Sequence, residues 1–246
     1  MEVVPGIHKV DGAWGGNVYL LDGGDSLTQV DAALPFNGRR IRRYIRSMGR
    51  TVSDVRQLVL THAHPDHTGS IHSLFGDSGV PTLVHEADTL RSGSGRRLYY
   101  RGQLFSLPGK MPLCSRIPAH GLLADGAVLP HLSGVRVLHT PGHTPGSVCL
   151  LDEERGVLIA GDMLISDGKS FHRPVQFPGT DFRAYRRSIE RIVSLDFDTV
   201  CAGHGKPVVG GAKASLERML TGYTWALFPW RFIPRPVLRA RGRGKG

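Results

Sequence analysis

Residues 61–69 read THAHPDHTG, which places three histidines and an aspartate in nine residues. Neutral imidazole donates a nitrogen lone pair to a transition metal, and carboxylate adds the balancing negative charge. His62 and His64 lie two apart where a strand ends, so both can project into one space. Asp66 and His67 follow on the first turn of a helix. A solvated polar loop is the bland alternative for this stretch taken alone. Three further segments weigh against it: His143 in HTPGHTPGS, Asp162 in IAGDML and His204 in CAGHG. Each lies at a strand-to-loop junction beside glycine, which lets the backbone approach a ligand closely.

Such side chains need elements that converge. An apolar strand at 17–21 runs into the turn signal DGGD, and the return strand at 26–30 delivers Asp31. A helix over 39–48 carries Ile41, Tyr44, Ile45 and Met48 on one face and arginines on the other. A buried strand at 55–60 leads into the histidine-rich motif. Pro65 suits the first turn of a helix continuing towards Phe75. A strand at 80–85 and a short helix at 86–91 follow, with later strands at 135–139, 147–151, 157–160 and 199–202. Helices are expected over 182–195 and 212–225. Residues 92–118 show no periodicity and suit a flap or a partly helical excursion. Short strands with interspersed helices point to two mixed sheets packed together with helices outside, an α/β (α+β) arrangement. Residues 1–222 read as one domain, and 223–246 as an aromatic, then basic, tail whose last part is expected to be disordered.

The motifs HxHxDH, GHTPGS, GD and GH, in that order and spacing, resemble the metallo-β-lactamase superfamily over about residues 6–207. The resemblance implies a four-layer αββα sandwich with its site on one edge. It also implies that His62, His64 and His143 hold one divalent metal ion, that Asp66, His67 and His204 hold a second, and that Asp162 bridges them. Asp31 matches an aspartate that orients a ligand histidine. Zinc is the expected metal, with iron or manganese as alternatives, because histidine and carboxylate accept all three. Paired cations lower the pKa of bound water, and the resulting hydroxide attacks an electrophilic carbonyl or phosphorus. Asp66 and Asp162 would carry the catalytic roles, Asp66 also passing a proton to the leaving group.

The full set of seven ligands resembles the glyoxalase II-like subgroup, which implies hydrolysis of a small thioester, ester or lactone. Glutathione itself is not expected: no GCGR-like loop follows Asp162, and AGHGKP replaces a PGHE-like segment around His204. The alternatives are a lactonase of the acyl-homoserine-lactone type, using Tyr99, Tyr100 or Tyr185, and a nuclease or RNA-binding member using the basic tail. Lys169, His172 and Arg173 lie in the stretch 166–179 after Asp162, which is placed to overhang the metals and meet substrate. Cys114, Cys149 and Cys201 form no CxxC pair and read as packing residues.

The net charge of +10 is concentrated at the end of the chain, where Arg231, Arg235, Arg239, Arg241, Arg243 and Lys245 occur with no acidic residue. A small-molecule substrate is therefore the expected partner. Nucleic acid or an anionic membrane surface through the tail is secondary. No secretory signal and no membrane-spanning run is evident, so a cytoplasmic protein is expected.

Overall fold

The computed structural model describes residues 1–76, 79–92, 95–99, 117–132, 134–174 and 180–221. The tail, Tyr100 and Cys114 lie outside the described residues. The first sheet opens as an antiparallel meander of β1 (Glu2–Val4), β2 (Ile7–Lys9), β3 (Tyr19–Asp22) and β4 (Leu27–Val30). It continues in parallel through β5 (Val55–Val59) and β6 (Thr82–His85). A separate hairpin of β7 (Thr89–Ser92) and β8 (Gly95–Leu98) precedes β9 (Gly121–Leu123), which adds in parallel to β6.

The second sheet holds β10 (Val135–His139), β11 (Val148–Asp152), β12 (Val157–Asp167), β13 (Phe171–His172), β14 (Thr199–Lys206) and β15 (Val208–Val209). Its order is β10-β11-β12-β14-β15, with β13 paired to β12. The contact between β12 and β14 is parallel. The α-helices among the described residues are α1 (Gly38–Ser47), α2 (Pro65–Thr68), α3 (Ile71–Phe75), α4 (Phe182–Val193) and α5 (Ala212–Thr221).

The layers follow from the period-two alternation of strand side chains. Leu20, Leu58 and Leu60 face one way, where they meet Ile41 and Ile45 of α1 and Leu74 of α3. Tyr19, Leu21, Val30 and Val59 face the other way. There they meet Val137, Val148, Leu150, Val157, Ile159 and Cys201 of the second sheet. The opposite face of that sheet, with Leu138, Leu151, Leu158 and Val200, packs on Tyr185, Ile189 and Ile192 of α4 and Leu216 of α5. Helix, sheet, sheet and helix therefore stack as the four expected layers. Burial pushes the Cys149 thiol up to about 12 and raises that of Cys201, which keeps both as inert packing groups.

Four local expectations are corrected. The helix expected from Pro65 to Phe75 is two short helices, because the amide of Gly69 donates to Ala33 O and leaves the helical ladder. The segment after His85 is a single 3-10 turn, Glu86–Asp88, followed by a strand and not a short helix. Part of the stretch expected as a flap or helical excursion is instead the β7–β8 hairpin. Finally, β12 and β14 run on through Asp162 and His204, with register shifts on either side of Gly161. Those two residues thus sit on strands, not in the loops after them. Among the described residues no helix is long and apolar enough to cross a membrane.

Candidate metal centre

The carboxyl ends of neighbouring parallel strands converge on one edge, the usual place for a site in a sheet of this kind. Asp31 follows β4, His62 and His64 follow β5, and α2 carries Asp66 and His67. His143 lies in the turn between β10 and β11, while β12 and β14 supply Asp162 and His204. All seven expected ligands arrive together. Donor atoms of His62, His64, His143 and Asp162 lie within 4.8 Å of one another, as do those of Asp66, His67 and His204.

The spacing suits a cation. Zinc bonds of 2.0–2.1 Å in a tetrahedron put donor atoms about 3.3 Å apart. His143 Nε2 is 3.0 Å from His64 Nδ1, and His67 Nε2 is 3.4 Å from His204 Nε2. His62 Nε2 is buried with no hydrogen-bond partner among the described residues. A buried imidazole nitrogen costs free energy unless something accepts its lone pair. The residues present therefore fit a divalent metal.

Asp162 reaches both groups. Its Oδ1 lies 3.1 Å from His67 Nε2 and 3.3 Å from His204 Nε2, and its Oδ2 lies 3.4 Å from His143 Nε2. Asp66 Oδ2 is 3.3 Å from His204 Nε2.

Electrostatics divides the two groups. Burial holds His62 well below the usual histidine range, reinforced by the neighbouring imidazoles, and it lowers His64 to about 3 and His143 to about 4. These three are neutral and ready to donate lone pairs. Burial opposes charge on His67 and His204 as well, but Asp162 and its carboxylate neighbours outweigh it. His67 is raised, and His204 is raised to about 10. The carboxylates of the second group are thus balanced by imidazolium protons that an entering cation would displace.

Hydrogen bonds set the tautomers. Asp31 Oδ2 accepts from His67 Nδ1 at 2.8 Å and from Thr61 Oγ1 at 2.7 Å. With its own hydrogen engaged by Asp31, Thr61 Oγ1 accepts from His62 Nδ1 at 3.0 Å. His62 is left with an Nε2 lone pair facing the site, and His67 presents one there once a cation displaces its Nε2 proton, the arrangement that raises ligand basicity. Asp31 holds φ +59°, an uncommon conformation for aspartate, and Ala33 and Phe36 of the same loop are also left-handed.

A profile of the metallo-beta-lactamase superfamily matches residues 11–204, from the loop before β3 to the last histidine of the cluster. The chain belongs to the metallo-beta-lactamase superfamily. Among its relatives, the hydroxyacylglutathione hydrolase GloC of Haemophilus influenzae is 30% identical, over 76% of this chain and 86% of that one. The uncharacterized protein YobT of Bacillus subtilis is 33% identical over 149 residues, 59% of this chain and only 60% of that relative's length. A metallo-beta-lactamase family protein from Thermus thermophilus shares the fold with a TM-score of 0.68 at 24% identity, covering 89% of this chain and 79% of that one.

The other candidates from the sequence lie on elements next to the ligands, His172 opposite Ile165 of β12 on one side and His204 opposite it on the other. Lys169 and His172 lie on the hairpin joining β12 to β13. His172 Nε2 stands 3.5 Å from Asp167 Oδ2, and the Lys169 carbonyl accepts from Ser215 of α5. Arg173 lies over the Phe182 ring. Tyr185 is buried and donates its hydroxyl to Met163 O at 2.7 Å, so it anchors β12 and presents no free phenol. Tyr99 follows β8, with its amide on Asp88 O.

Sequence reading missed two residues that brace the site. Asn17 donates through Nδ2 to Ala202 O and Gly205 O, on either side of His204. Asp88 braces the other group. Both make contacts distant in sequence, and only the placement of Asp88 shortly after a parallel strand hinted at its use.

Proposed function

We propose that this chain is a dinuclear metal-dependent hydrolase of a small thioester, ester or lactone. The observation that carries the proposal is Asp162, whose two oxygens face both ligand groups. His62, His64 and His143 would hold one divalent cation, and Asp66, His67 and His204 the other, with zinc the best match to this donor set. Such cations, when bound, activate water as a nucleophile and polarise the scissile bond. The chain's own residues orient and balance charge. Asp31 fixes two imidazole tautomers, and Asp162 holds the groups in register. Asp66, 31% exposed at its side chain, is the carboxylate on the solvent side that can move a proton to a leaving group.

A thioester is favoured within this class by the GloC likeness. Of the tyrosines that a lactonase would use, Tyr185 has its hydroxyl committed to Met163 O, which counts against that residue. A substrate with an apolar group is supported by two exposed aromatics on loops whose backbone bonds to the Asp66–His67 turn. Trp14 is 48% exposed and Phe36 is 86% exposed. Asn37 ties their loops together, accepting from Trp14 N and donating to Trp14 O and Leu34 O. The same loops hydrogen-bond to Asp66 O and His67 O.

The deciding experiment is metal analysis combined with a screen of acyl thioesters, lactones and phosphodiesters. We expect about two zinc equivalents per chain and turnover of a thioester that a chelator abolishes and zinc restores. Hydrolysis that survives complete metal removal would refute the reading. Removing the metal should also cost stability. A ligand at about 1,000 times its Kd contributes about 4 kcal/mol. At about 2–4 °C per kcal/mol, that predicts a melting temperature lower by about 8–16 °C after chelation.

Replacing Trp14 or Phe36 by alanine should raise KM about tenfold for a long-chain acyl thioester, the worth of one or two buried methylenes. KM for the acetyl thioester should change little. Equal effects on both substrates would remove these aromatics from substrate binding.

A further inference from the structure

Asp88 ends the 3-10 turn after β6 and is 3% exposed. Burying a carboxylate is costly unless charge-assisted hydrogen bonds return the energy. Here three donors do so. Asp88 Oδ2 accepts from Ala63 N at 3.0 Å and Thr144 Oγ1 at 2.9 Å, and Oδ1 accepts from Gly146 N at 2.8 Å. The identity of those donors is informative. Ala63 is the residue between His62 and His64, and Thr144 directly follows His143. Gly146 completes the same turn, and a Cβ there would stand 2.6 Å from the Asp88 carboxyl carbon. One carboxylate therefore links the two segments that supply every imidazole of the first group, one from each sheet.

The second group has no comparable tie to Asp88 among the described residues. Its His67 is held by Asp31 and its His204 segment by Asn17. Asp31 reaches both groups, through His67 and through Thr61 to His62, whereas Asp88 ties only the turns of the first, so the first can be loosened without the second.

We propose that Asp88 is a positioning residue which sets the distance between the His62–His64 turn and the His143 turn, and with it the cation affinity of the first group relative to the second. This rests on the dinuclear reading above. Without the carboxylate, three donors lose their acceptor and the two turns are free to part. The imidazoles then no longer meet at one point.

The test is a zinc titration of metal-free protein against a competing chelator, for the unaltered chain, Asp88→Ala, Asp88→Asn and His143→Ala. The unaltered chain should bind two equivalents. Asp88→Ala should keep one at unaltered affinity and bind the other about 10–100-fold more weakly, the usual effect of removing a residue that orients a metal ligand. Its weakened step should coincide with the one that His143→Ala removes. Asp88→Asn keeps the volume but turns one acceptor into a donor. It should show a smaller loss in the same step, and it decides the matter if the alanine variant does not fold. Two equivalents bound unchanged by the variants would overturn the proposal, as would equal weakening of both steps with a destabilised metal-free fold. No zinc uptake by the unaltered chain would instead overturn the dinuclear reading, and this proposal with it.

Discussion

Asp162→Ala is expected to lower kcat/KM on the best substrate by at least about 10³-fold, the scale of losing a principal electrostatic element of an active site. The expectation comes from geometry. Among the described residues, Asp162 is the carboxylate that contacts imidazoles of both groups, through Oδ1 to His67 and His204 and through Oδ2 to His143. Removing it takes negative charge from both sets at once. Metal analysis should therefore show fewer than two equivalents per chain, and each remaining cation should exchange faster with a chelator. His204→Ala provides the contrast, since it deletes a ligand from one group only and should leave the first cation in place. If Asp162→Ala kept two tightly bound ions and a tenth of the activity, a shared carboxylate would be the wrong description.

The second large effect is steric. Gly203 lies on β14 directly under the Asp162 carboxylate. A Cβ at this position would stand 2.2 Å from Asp162 Oδ1 and 2.5 Å from the carbonyl carbon of Gly161. Backbone on the neighbouring parallel strand cannot swing aside as a flexible side chain would. Gly203→Ala must push β12 and β14 apart or turn Asp162 away from its imidazoles. We expect a fall in kcat/KM of about 100-fold with weaker metal retention, as for displaced metal ligands. Stability should drop by about 1–3 kcal/mol, the usual cost of overpacking, so the chain should still fold. Unfolding in urea separates this outcome from general collapse. Unchanged activity and metal content would show that the two strands are looser than the contact distances imply.

Much of this was legible in the sequence for identifiable reasons. Period-two alternation in β3, β5, β10 and β11 sorts residues such as Leu20 from Tyr19 and Leu58 from Val59, and so gives the layers. The ligand motifs are local and chemically distinctive, so His62, His64, Asp66 and His67 were visible as a group. The break at Gly69 was not visible, because it depends on a hydrogen bond to Ala33 that only the tertiary fold supplies. The extension of β12 beyond Ala160 depends on pairing with β14, another long-range effect. Asp88 falls within the stretch 86–91 expected as a short helix, where an acid is unremarkable. Its donors lie 25, 56 and 58 residues away, and no local pattern announces them. The tail was legible only as composition and lies outside the described residues.

The division of the cluster between two sheets has a consequence for how the protein comes to exist. His67 and His204 meet across 137 residues of chain, and both groups draw on β12 or β14. As the chain emerges from the ribosome, amino end first, the HxHxDH segment appears long before its partners. The first set cannot be complete until His143 and Asp162 have been made, nor the second until His204 has, and each also needs the second sheet docked on the first. Loading of a metal would therefore come late in the making of the chain. A nascent chain stalled before residue 143 would expose four potential ligands with nothing to complete them.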